Sequence, residues 1–322
     1  MEKIDINKFV INHIQQIKPF DPAEPLDSMA EKAGVEPEKI IRLNANENPY
    51  GPSPSVNEAI KKLQANIYPD PEQNVIRTAL SKFTDMPKET ILCGAGSDEL
   101  IDLLFRLFCT PKNNVIECDP TFGMYSFCAR VTGAQIISVP RDDNFEIDIN
   151  AVKSAITAET RIIFINSPNN PTGNLAKQKD IETLLETGLI VVIDEAYYEY
   201  SSYEGHKDAI SLIKKYPNVI VTRSFSKIYA LAGLRIGYGL ASKNITQKIN
   251  DKRQPFNVNY IAQSMAAISL NDKKFVNKSL RENAAARKWL MNQLKKLHID
   301  CLDSNTNFLT INLGANANFV FQ

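Results

Sequence analysis

The sequence predicts an α/β fold built on a mostly parallel seven-stranded sheet that is flanked by helices. From about residue 90 onward, short apolar runs alternate with amphipathic helical patterns, which is typical of repeated β-α-β units. The seven runs of strand length lie at 90–93, 114–118, 135–139, 161–166, 189–193, 219–222 and 236–240. Because ligands bind at the carboxyl ends of parallel strands, we expect the residues that directly follow these runs to form the functional site.

The segments before the first strand predict helices and one loop. Residues 4–17 carry apolar side chains at helical spacing, and the proline-rich segment 19–25 ends that helix. Segment 44–52 is rich in turn residues and predicts a loop, whereas 54–67 and 72–83 have the pattern of amphipathic helices. The sheet is therefore preceded by an N-terminal arm.

Beyond residue 243 the pattern is mostly helical. A long amphipathic stretch covers 272–297, and an apolar run at 307–313 predicts one more strand. We expect this part of the chain to form a helical connection followed by part of a smaller α+β domain.

Composition and charge are those of a globular protein. The chain has 322 residues, of which 43% are hydrophobic and 23% charged, so it is long enough for two domains. Lys and Arg total 37, as do Asp and Glu, so the formal net charge is zero. Because no basic stripe is present, we do not expect nucleic acid as a partner.

Cysteine and histidine usage predicts neither disulfides nor a metal site. The five cysteines are scattered and never have C-x-x-C spacing, which indicates reduced thiols in a cytoplasmic protein. The three histidines lie far apart and form no metal-binding pattern. The first residues lack the apolar stretch of a signal peptide, and no run is long enough for a bilayer, so we expect no membrane anchor.

The most informative segment places Lys227 after Ser224 and Ser226 and upstream of Arg235. A lysine amine can form a Schiff base with an aldehyde cofactor, and this chemistry indicates pyridoxal phosphate acting on an amino acid. The two hydroxyls and the arginine can hold the cofactor phosphate through neutral and charge-assisted hydrogen bonds. A lone lysine after a strand is more often a solvated surface charge, so the interpretation depends on the other strand ends.

A second strand end can supply the rest of a phosphate site. Gly96, Ser97 and Asp98 open an amphipathic helix, whose free N-terminal amides form a ready anion site. The alternative is that Ser97 or Asp98 only caps the helix, which requires no ligand.

Asp194 follows the most continuous apolar run of the chain, at 189–193. A buried carboxylate stays ionised only beside a positive partner, and the protonated ring nitrogen of pyridoxal phosphate is such a partner. Protonation of that nitrogen lets the ring accept electrons from a substrate carbanion. The alternative is a structural carboxylate that caps a helix or pairs with a lysine.

Three further residues at strand ends suit the remaining edges of the same cofactor. Tyr197 and Asn170 can both donate hydrogen bonds to its phenolic oxygen, which would stabilise the phenolate form. Phe122 can stack on a face of the ring, although an aromatic residue in this setting is often plain core. A chance origin for suitable residues at five strand ends is implausible.

Taken together, these segments resemble the pyridoxal-phosphate-dependent aminotransferases of fold type I, and among them most closely the histidinol-phosphate aminotransferases. The matching words are L-N-A-N-E-N-P-Y-G-P-S at 43–53, Y-P-D-P at 68–71, G-A-G-S-D-E at 94–99, D-P-T-F-G-M-Y at 119–125, S-P-N-N-P-T-G at 167–173, D-E-A-Y at 194–197 and S-F-S-K-I-Y-A-L-A-G-L-R-I-G at 224–237. They follow the order of the family and cover residues 43–240 densely. The motifs at 43–53 and 94–99 favour the histidinol-phosphate branch of the family.

The resemblance implies a role for each site residue. Lys227 would form the Schiff base and move the proton of the substrate, with Asp194 at the ring nitrogen and Tyr197 and Asn170 at the phenolic oxygen. Phe122 would stack on the ring, although tyrosine is common at that position in the family. The expected cofactor-binding residues are Gly96, Ser97, Asp98, Phe122, Asn170, Asp194, Tyr197, Ser224, Ser226, Lys227 and Arg235, with Tyr68 from a second subunit.

The resemblance also implies the assembly, the substrates and the domains. Tyr68 would reach the cofactor phosphate of the neighbouring subunit, which makes the protein a homodimer. Tyr50 and Asn46 would line the substrate side for histidinol phosphate and 2-oxoglutarate, as a step of histidine biosynthesis. The expected domains are 1–50 as the arm and a small-domain segment, 51–250 as the large cofactor domain, and 251–322 as the connection and partial small domain.

The chain departs from the family near its end. The family carries a substrate-binding arginine in its C-terminal domain, whereas no arginine follows Arg287 here, so we expect an incomplete small domain. Apolar side chains at Trp289, Leu290, Leu294 and Phe308 would then be partly uncovered. Three other functions therefore stay open: a threonine-phosphate decarboxylase-like enzyme, an aromatic amino acid aminotransferase, and a cofactor-binding protein without catalysis.

Overall fold

A computed structural model of the chain describes residues 4–20, 22–62 and 66–321. Its central sheet consists of β1 (Ile91–Gly94), β2 (Asn114–Asp119), β3 (Gln135–Pro140), β4 (Thr160–Asn166), β5 (Ile190–Asp194), β6 (Val219–Ser224) and β7 (Gly237–Ala241). Each predicted run overlaps one of these strands, so the predicted mostly parallel seven-stranded sheet is confirmed. Two short strands, β8 (Asp300–Cys301) and β9 (Ile311–Asn312), pair antiparallel in a separate sheet.

The strand order of the main sheet is β1-β7-β6-β5-β4-β2-β3. β7 is antiparallel to both of its neighbours, whereas the pairs from β6 to β3 are parallel. The carboxyl ends of the other six strands therefore lie along one edge of the sheet, and β7 begins at that same edge. This arrangement brings residues that precede β7 to the expected site.

Helices surround the sheet and extend beyond it. They are α1 (Leu26–Ala33), α2 (Pro54–Ile60), α3 (Asn74–Thr84), α4 (Ser97–Phe108), α5 (Met124–Thr132), α6 (Ile149–Ser154), α7 (Gln178–Leu185), α8 (Tyr198–Tyr203), α9 (Lys243–Asn250), α10 (Tyr260–Ser269), α11 (Lys273–Lys296) and α12 (Ala317–Phe321). The long helix predicted at 272–297 is confirmed as α11.

The core has one apolar cluster on each face of the sheet. Along β4, Ile163 and Ile165 belong to one cluster and Ile162 and Phe164 to the other, as the alternation of side chains along a strand requires. Burial of such a side chain stabilises the fold by about 1.5–3 kcal/mol. The two clusters hold the strand ends rigidly in place, which is what a site built from several strands needs.

The predicted helix at 4–17 is wrong. The structure has two short 3₁₀ turns there, Ile6–Phe9 and Ile14–Gln16, and the side chain of Phe9 is 78% exposed. A short helix without a packed apolar face has too little tertiary stabilisation to persist. The predicted helix at 54–67 ends at Ile60, and residues 63–65 of that prediction lie outside the described residues.

The end of the chain matches its prediction in part. The strand expected at 307–313 is reduced to β9. Trp289 and Leu290 on α11 are exposed as expected, at 63% and 42%, whereas Leu294 is buried. Among the described helices, none combines the length and the apolar character that crossing a bilayer requires.

Candidate functional site

A cavity of about 440 Å³ opens at the carboxyl edge of the sheet, where the functional site was predicted. Most of the predicted site residues line it: Asn46, Ser97, Asp98, Phe122, Asn170, Asp194, Tyr197, Ser224, Ser226, Lys227 and Arg235. Gly96 directly precedes the first turn of α4 beside them. The fold therefore gathers groups that are far apart in sequence into one volume.

Lys227 lies in the loop after β6, with its side chain directed into the cavity. Its Nζ donates a hydrogen bond to the backbone oxygen of Ala45 at 3.0 Å and lies 5.7 Å from the centre of the Tyr197 ring. Burial lowers the pKa of the Lys227 amine because desolvation disfavours the ammonium form. A larger share of neutral, nucleophilic amine is the consequence.

Asp194 ends β5 and is only 2% exposed. Its Oδ2 accepts a hydrogen bond from the hydroxyl of Tyr125 at 2.8 Å, whereas Oδ1 has no partner among the described residues. Burial raises the pKa of Asp194 to about 6, because the carboxylate has lost its hydration. A buried oxygen in this state requires a donor, and a positively charged N–H group would satisfy it.

Tyr197 and Asn170 approach the cavity from two neighbouring strand ends. The Tyr197 hydroxyl accepts a hydrogen bond from Asn46 Nδ2 at 3.1 Å, and burial raises the pKa of this phenol to about 12. The backbone N–H of Asn170 donates to Asn166 Oδ1 at 2.6 Å, and Asn166 Nδ2 donates to the backbone oxygen of Asp194 at 3.0 Å. These bonds fix the ends of β4 and β5 relative to each other.

The N-terminus of α4 packs against the start of β7 at unusually close range. Gly96 has φ +82°, and a Cβ atom there would lie 2.6 Å from Arg235 Nη2. A Cβ atom at Gly237 would lie 2.4 Å from the backbone nitrogen of Ser97. Glycine at both positions thus lets the arginine and the free helix amides converge, and this geometry is suited to an anion. Arg235 Nη2 donates to Asp98 Oδ2 at 3.0 Å in this arrangement.

Two buried polar side chains near the site were missed by the sequence reasoning. Tyr125, the hydrogen-bond donor to Asp194, lies three residues after Phe122, at the end of the D-P-T-F-G-M-Y word. Asn169 is fully buried, and its side chain accepts from Thr121 Oγ1 at 3.1 Å and donates to the Pro120 backbone oxygen at 3.0 Å. The sequence signal that could have identified Asn169 is its polar side chain between two prolines, Pro168 and Pro171.

The N-terminal arm also contributes to the cavity. Phe20, Pro22 and Ala23 line it together with Ala45. The Phe20 ring packs edge-on against Phe127 of α5, with ring centres 5.8 Å apart. The arm therefore forms part of the cavity wall, a role that its sequence pattern did not indicate.

Two predicted residues do not reach Lys227 within this chain. Tyr68 is 78% exposed and stacks on Phe256, with ring centres 4.8 Å apart. Tyr50 lines a second cavity of about 340 Å³, whereas Asn46 lines both cavities. The two residues that were assigned to the substrate side thus share the second cavity, and only Asn46 also lines the cavity that contains Lys227.

The cavity fits pyridoxal phosphate in three independent respects. It presents a lysine amine to an aldehyde and an unpartnered, buried carboxylate oxygen of Asp194 to a ring nitrogen. At its other end, the N-terminus of α4 and Arg235 suit a phosphate. Within the ranges that the structure describes, no cluster of metal-binding side chains is present.

Comparison with known proteins agrees with this fit. Residues 38–320 match the family described as Aminotransferase class I and II. The histidinol-phosphate aminotransferase of Roseiflexus castenholzii is 42% identical over 80% of this chain and 71% of its own length. That of Bacillus subtilis strain 168 is 35% identical over 96% of this chain and 87% of its own length.

Solved structures give the same result. The structure of histidinol-phosphate aminotransferase from Sinorhizobium meliloti, in complex with pyridoxal-5'-phosphate, superposes with a TM-score of 0.87 at 25% identity. The match covers 96% of this chain and 83% of that chain. Aspartate aminotransferase from Thermus thermophilus, at 22% identity, shares the fold with a TM-score of 0.81.

Proposed function

This chain belongs to the aminotransferase class I and II family, is a pyridoxal-phosphate-dependent transaminase, and from this premise we propose that it is a histidinol-phosphate aminotransferase. It would transfer the amino group of histidinol phosphate to 2-oxoglutarate, giving imidazole-acetol phosphate and glutamate in histidine biosynthesis. The names of its relatives support this substrate choice. The observation that carries the proposal is the convergence of Lys227, Asp194 and the α4 N-terminus in one cavity.

The cofactor of this family is pyridoxal phosphate, which supplies an electron sink for the carbanion formed at the amine-bearing carbon. Asp194 Oδ1, which lacks another partner in the described chain, would bind the ring nitrogen. Tyr197 and Asn170 would bind the phenolic oxygen, and Phe122 would pack on the ring.

The phosphate of the cofactor would bind where charge and free amides coincide. Gly96, Ser97 and Asp98 would offer the backbone amides of α4, and the hydroxyls of Ser224 and Ser226 would add hydrogen bonds. Arg235 would supply the positive charge. The close packing of Gly96 on Arg235 supports this assignment.

Lys227 is suited to two tasks in the reaction. Its Nζ would hold the cofactor through the aldehyde group, and as a free amine it would remove a proton from the substrate carbon that bears the amino group. A general base needs to be partly neutral at the working pH, and burial lowers the pKa of this amine in that direction. The contact of Nζ with Ala45 at 3.0 Å holds the side chain in the cavity.

We further propose that the enzyme is a cytoplasmic homodimer. Its large cofactor domain would comprise 51–250, while 1–50 and 251–322 would contribute the arm, the connection and the smaller domain. The exposed stack of Tyr68 on Phe256 supports an intersubunit role for Tyr68. On the substrate side, Asn46 would be the nearer residue and Tyr50 the more distant one.

The proposal is tested with purified full-length protein. We expect a visible absorption band from bound pyridoxal phosphate, and borohydride reduction followed by peptide mapping should locate the cofactor on Lys227. Glutamate should form from histidinol phosphate and 2-oxoglutarate. Lys227→Ala should abolish the borohydride labelling and the formation of glutamate, whereas the matched surface variant Lys177→Ala, at a side chain 61% exposed, should retain both.

Other outcomes would assign a different function. Release of carbon dioxide from a phosphorylated amino acid would indicate a decarboxylase. Faster turnover of phenylalanine or tyrosine than of histidinol phosphate would indicate an aromatic amino acid aminotransferase. A labelled Lys227 without turnover of any amine would leave only cofactor binding and would contradict the proposed catalysis.

A further inference from the structure

The two carboxylate oxygens of Asp194 have different surroundings. Oδ2 accepts the hydrogen bond from the Tyr125 hydroxyl at 2.8 Å, and Oδ1 has no partner within the described ranges. Asp194 is 2% exposed, so bulk water solvates neither oxygen. The contact with Tyr125 therefore determines which oxygen remains available to the cavity.

Tyr125 is held in place by aromatic packing. It lies on α5 and is fully buried. Its ring stacks on Phe164 of β4 with ring centres 4.5 Å apart and planes at 13°, and Phe122 meets it edge-on at 5.8 Å. These contacts restrain the ring on two sides, so the hydroxyl is aimed at Asp194 by the core itself.

We propose that Tyr125 is a positioning residue for catalysis: its hydroxyl turns Asp194 Oδ1 toward the cofactor and stabilises the carboxylate in its ionised form. This inference rests on the proposed function, because it concerns the ring nitrogen of the bound cofactor. An ionised Asp194 keeps that nitrogen protonated, whereas a neutral carboxyl group does not. Tyr125 thus acts on the cofactor only through Asp194.

The pKa values of Tyr125 and Asp194 determine which of the two groups donates the hydrogen bond. Burial raises the pKa of Tyr125 well above its ordinary value, so the phenol keeps its proton and acts as donor. The bond in turn opposes the effect of burial on the pKa of Asp194, which lies at about 6. Without the hydroxyl, we expect the pKa of Asp194 to rise further, and more of the carboxyl group to be protonated at neutral pH.

Other ionisable groups face this pair from the surrounding elements. Asp98 on α4 raises the pKa of Asp194, and Tyr197 and Lys227 lie across the cavity. Glu117 on β2 acts on Tyr125, as does Asp98. Thr222 and the backbone of Ala196 also lower the pKa of Asp194, but Tyr125 has the largest effect in that direction, so a variant at Tyr125 tests its contribution.

The test compares Tyr125→Phe with the control Tyr238→Phe in the full chain. Tyr238 is also fully buried, but its hydroxyl has no hydrogen-bond partner in the described residues. The measurement is the dissociation constant of pyridoxal phosphate at several values between about pH 6 and about pH 8, without any substrate. Tyr125→Phe should weaken binding about tenfold at neutral pH, as the loss of a charge-assisted hydrogen bond does.

The pH dependence separates positioning from simple packing. The loss in Tyr125→Phe should be largest at the lower pH, where Asp194 becomes protonated first, and should shrink as the pH rises. Tyr238→Phe should bind the cofactor like the unmodified protein at every pH. An equal loss at every pH, or an equal loss in both variants, would overturn the proposal.

A second comparison uses the Asp194→Asn background, which has no carboxylate to stabilise. Addition of Tyr125→Phe to this background should change cofactor affinity by less than about twofold. Additive losses would contradict the inference. If Tyr125→Phe fails to fold while the double variant folds, the unstabilised Asp194 carboxylate is the cause of the failure. That outcome supports the inference. If neither folds, Tyr125 is only a core residue and the inference fails.

These readouts keep the two proposals apart. Cofactor affinity involves no amine substrate, so it does not depend on whether histidinol phosphate is the natural one. Failure of the unmodified protein to bind pyridoxal phosphate would contradict the proposed function itself. Normal binding with an unchanged pH profile in Tyr125→Phe would contradict only the role of Tyr125.

Discussion

At the scale of single residues, the reactivity of the cavity comes from desolvation of charged groups. The Lys227 amine and the Asp194 carboxyl group both titrate away from their ordinary values, and burial is the largest cause in each case. The shifts have opposite directions, because burial favours the neutral form of a base and of an acid alike. Each group can therefore change its protonation state when the cofactor or the substrate binds.

Lys227→Met should change the stability of the cofactor-free protein in a pH-dependent way. Burial lowers the pKa of Lys227 in the folded state, so its contribution to stability is complete above about pH 10.4 and is lost as the pH falls through the folded pKa. The variant removes the free-energy cost of burying a charged amine. Its melting temperature should exceed that of the unmodified protein by about 2 °C near pH 7, with a smaller difference near pH 9.5.

The control for this measurement is Lys177→Met. Contact with Glu146 raises the pKa of the exposed Lys177, so this amine stays charged across the same pH range in both states. Its melting-temperature difference should not vary with pH. A constant difference for Lys227→Met as well would contradict the buried-amine explanation.

At the scale of elements, the antiparallel direction of β7 determines the geometry of the phosphate region. The strand starts at the edge where the other six end, which places Arg235 beside the first turn of α4. Gly237, the first residue of β7, lies so close to α4 that a Cβ atom would also meet the carbonyl carbon of Gly96 at 2.7 Å and the Arg223 oxygen at 2.9 Å. Backbone atoms at these distances cannot rotate away.

Gly237→Ala should therefore disturb both the fold and the cofactor site. Separation of α4 from β7 should lower the free energy of unfolding by about 2 kcal/mol, the usual effect of an overpacked position. It should also weaken the binding of pyridoxal phosphate about tenfold, because the amides of α4 move away from Arg235. Urea unfolding and a cofactor titration measure the two effects.

Gly233→Ala is the matched control for this variant. Gly233 lies in the short 3₁₀ helix Ala232–Leu234 that precedes β7, and a Cβ atom there would have no heavy atom within 4 Å. The substitution should leave both quantities nearly unchanged. Equal effects of the two alanine variants would show that loss of glycine flexibility, rather than the close approach of α4, is responsible.

At the scale of the whole molecule, buried charged side chains lie next to the cavity as well as in it. Arg223 of β6 and Glu195 after β5 form a buried ion pair, with Nε and Nη2 of the arginine 2.9 Å and 2.7 Å from Oε2. They are the immediate neighbours of Ser224 and Asp194. Asp208 Oδ2 also accepts a hydrogen bond from Arg223 Nη2, at 2.8 Å. These charges link the ends of β5 and β6, and removal of Arg223 would leave the buried Glu195 carboxylate without its positive partner.

The proposed dimer makes a prediction of its own. Lys227→Ala and Tyr68→Ala are each expected to be nearly inactive. A hybrid dimer with one subunit of each kind, purified through two different tags, should recover about half of the normal activity, because one of its two sites is intact. That site combines Lys227 of one subunit with Tyr68 of the other. Hybrids as inactive as their parents would contradict a Tyr68 contribution between subunits.

Local patterns in the sequence were enough to determine the strands, the residues that follow them and the identity of the cofactor. The apolar run at 189–193 is buried from Val191 to Ile193, so the position of Asp194 at a buried strand end could be predicted directly from the sequence. The position of Lys227 relative to Arg235 could also be predicted from the sequence, because both residues lie in one short segment.

Only the tertiary structure decided which distant groups meet. The bond from Tyr125 to Asp194 joins residues 69 positions apart, and the direction of β7 depends on pairing with β1 and β6. The arm at 4–17 has a helical pattern, but no residue of its two 3₁₀ turns is buried, so packing does not stabilise a helix there. Such outcomes depend on packing between segments, and the free energy of that packing is not contained in any local stretch of sequence.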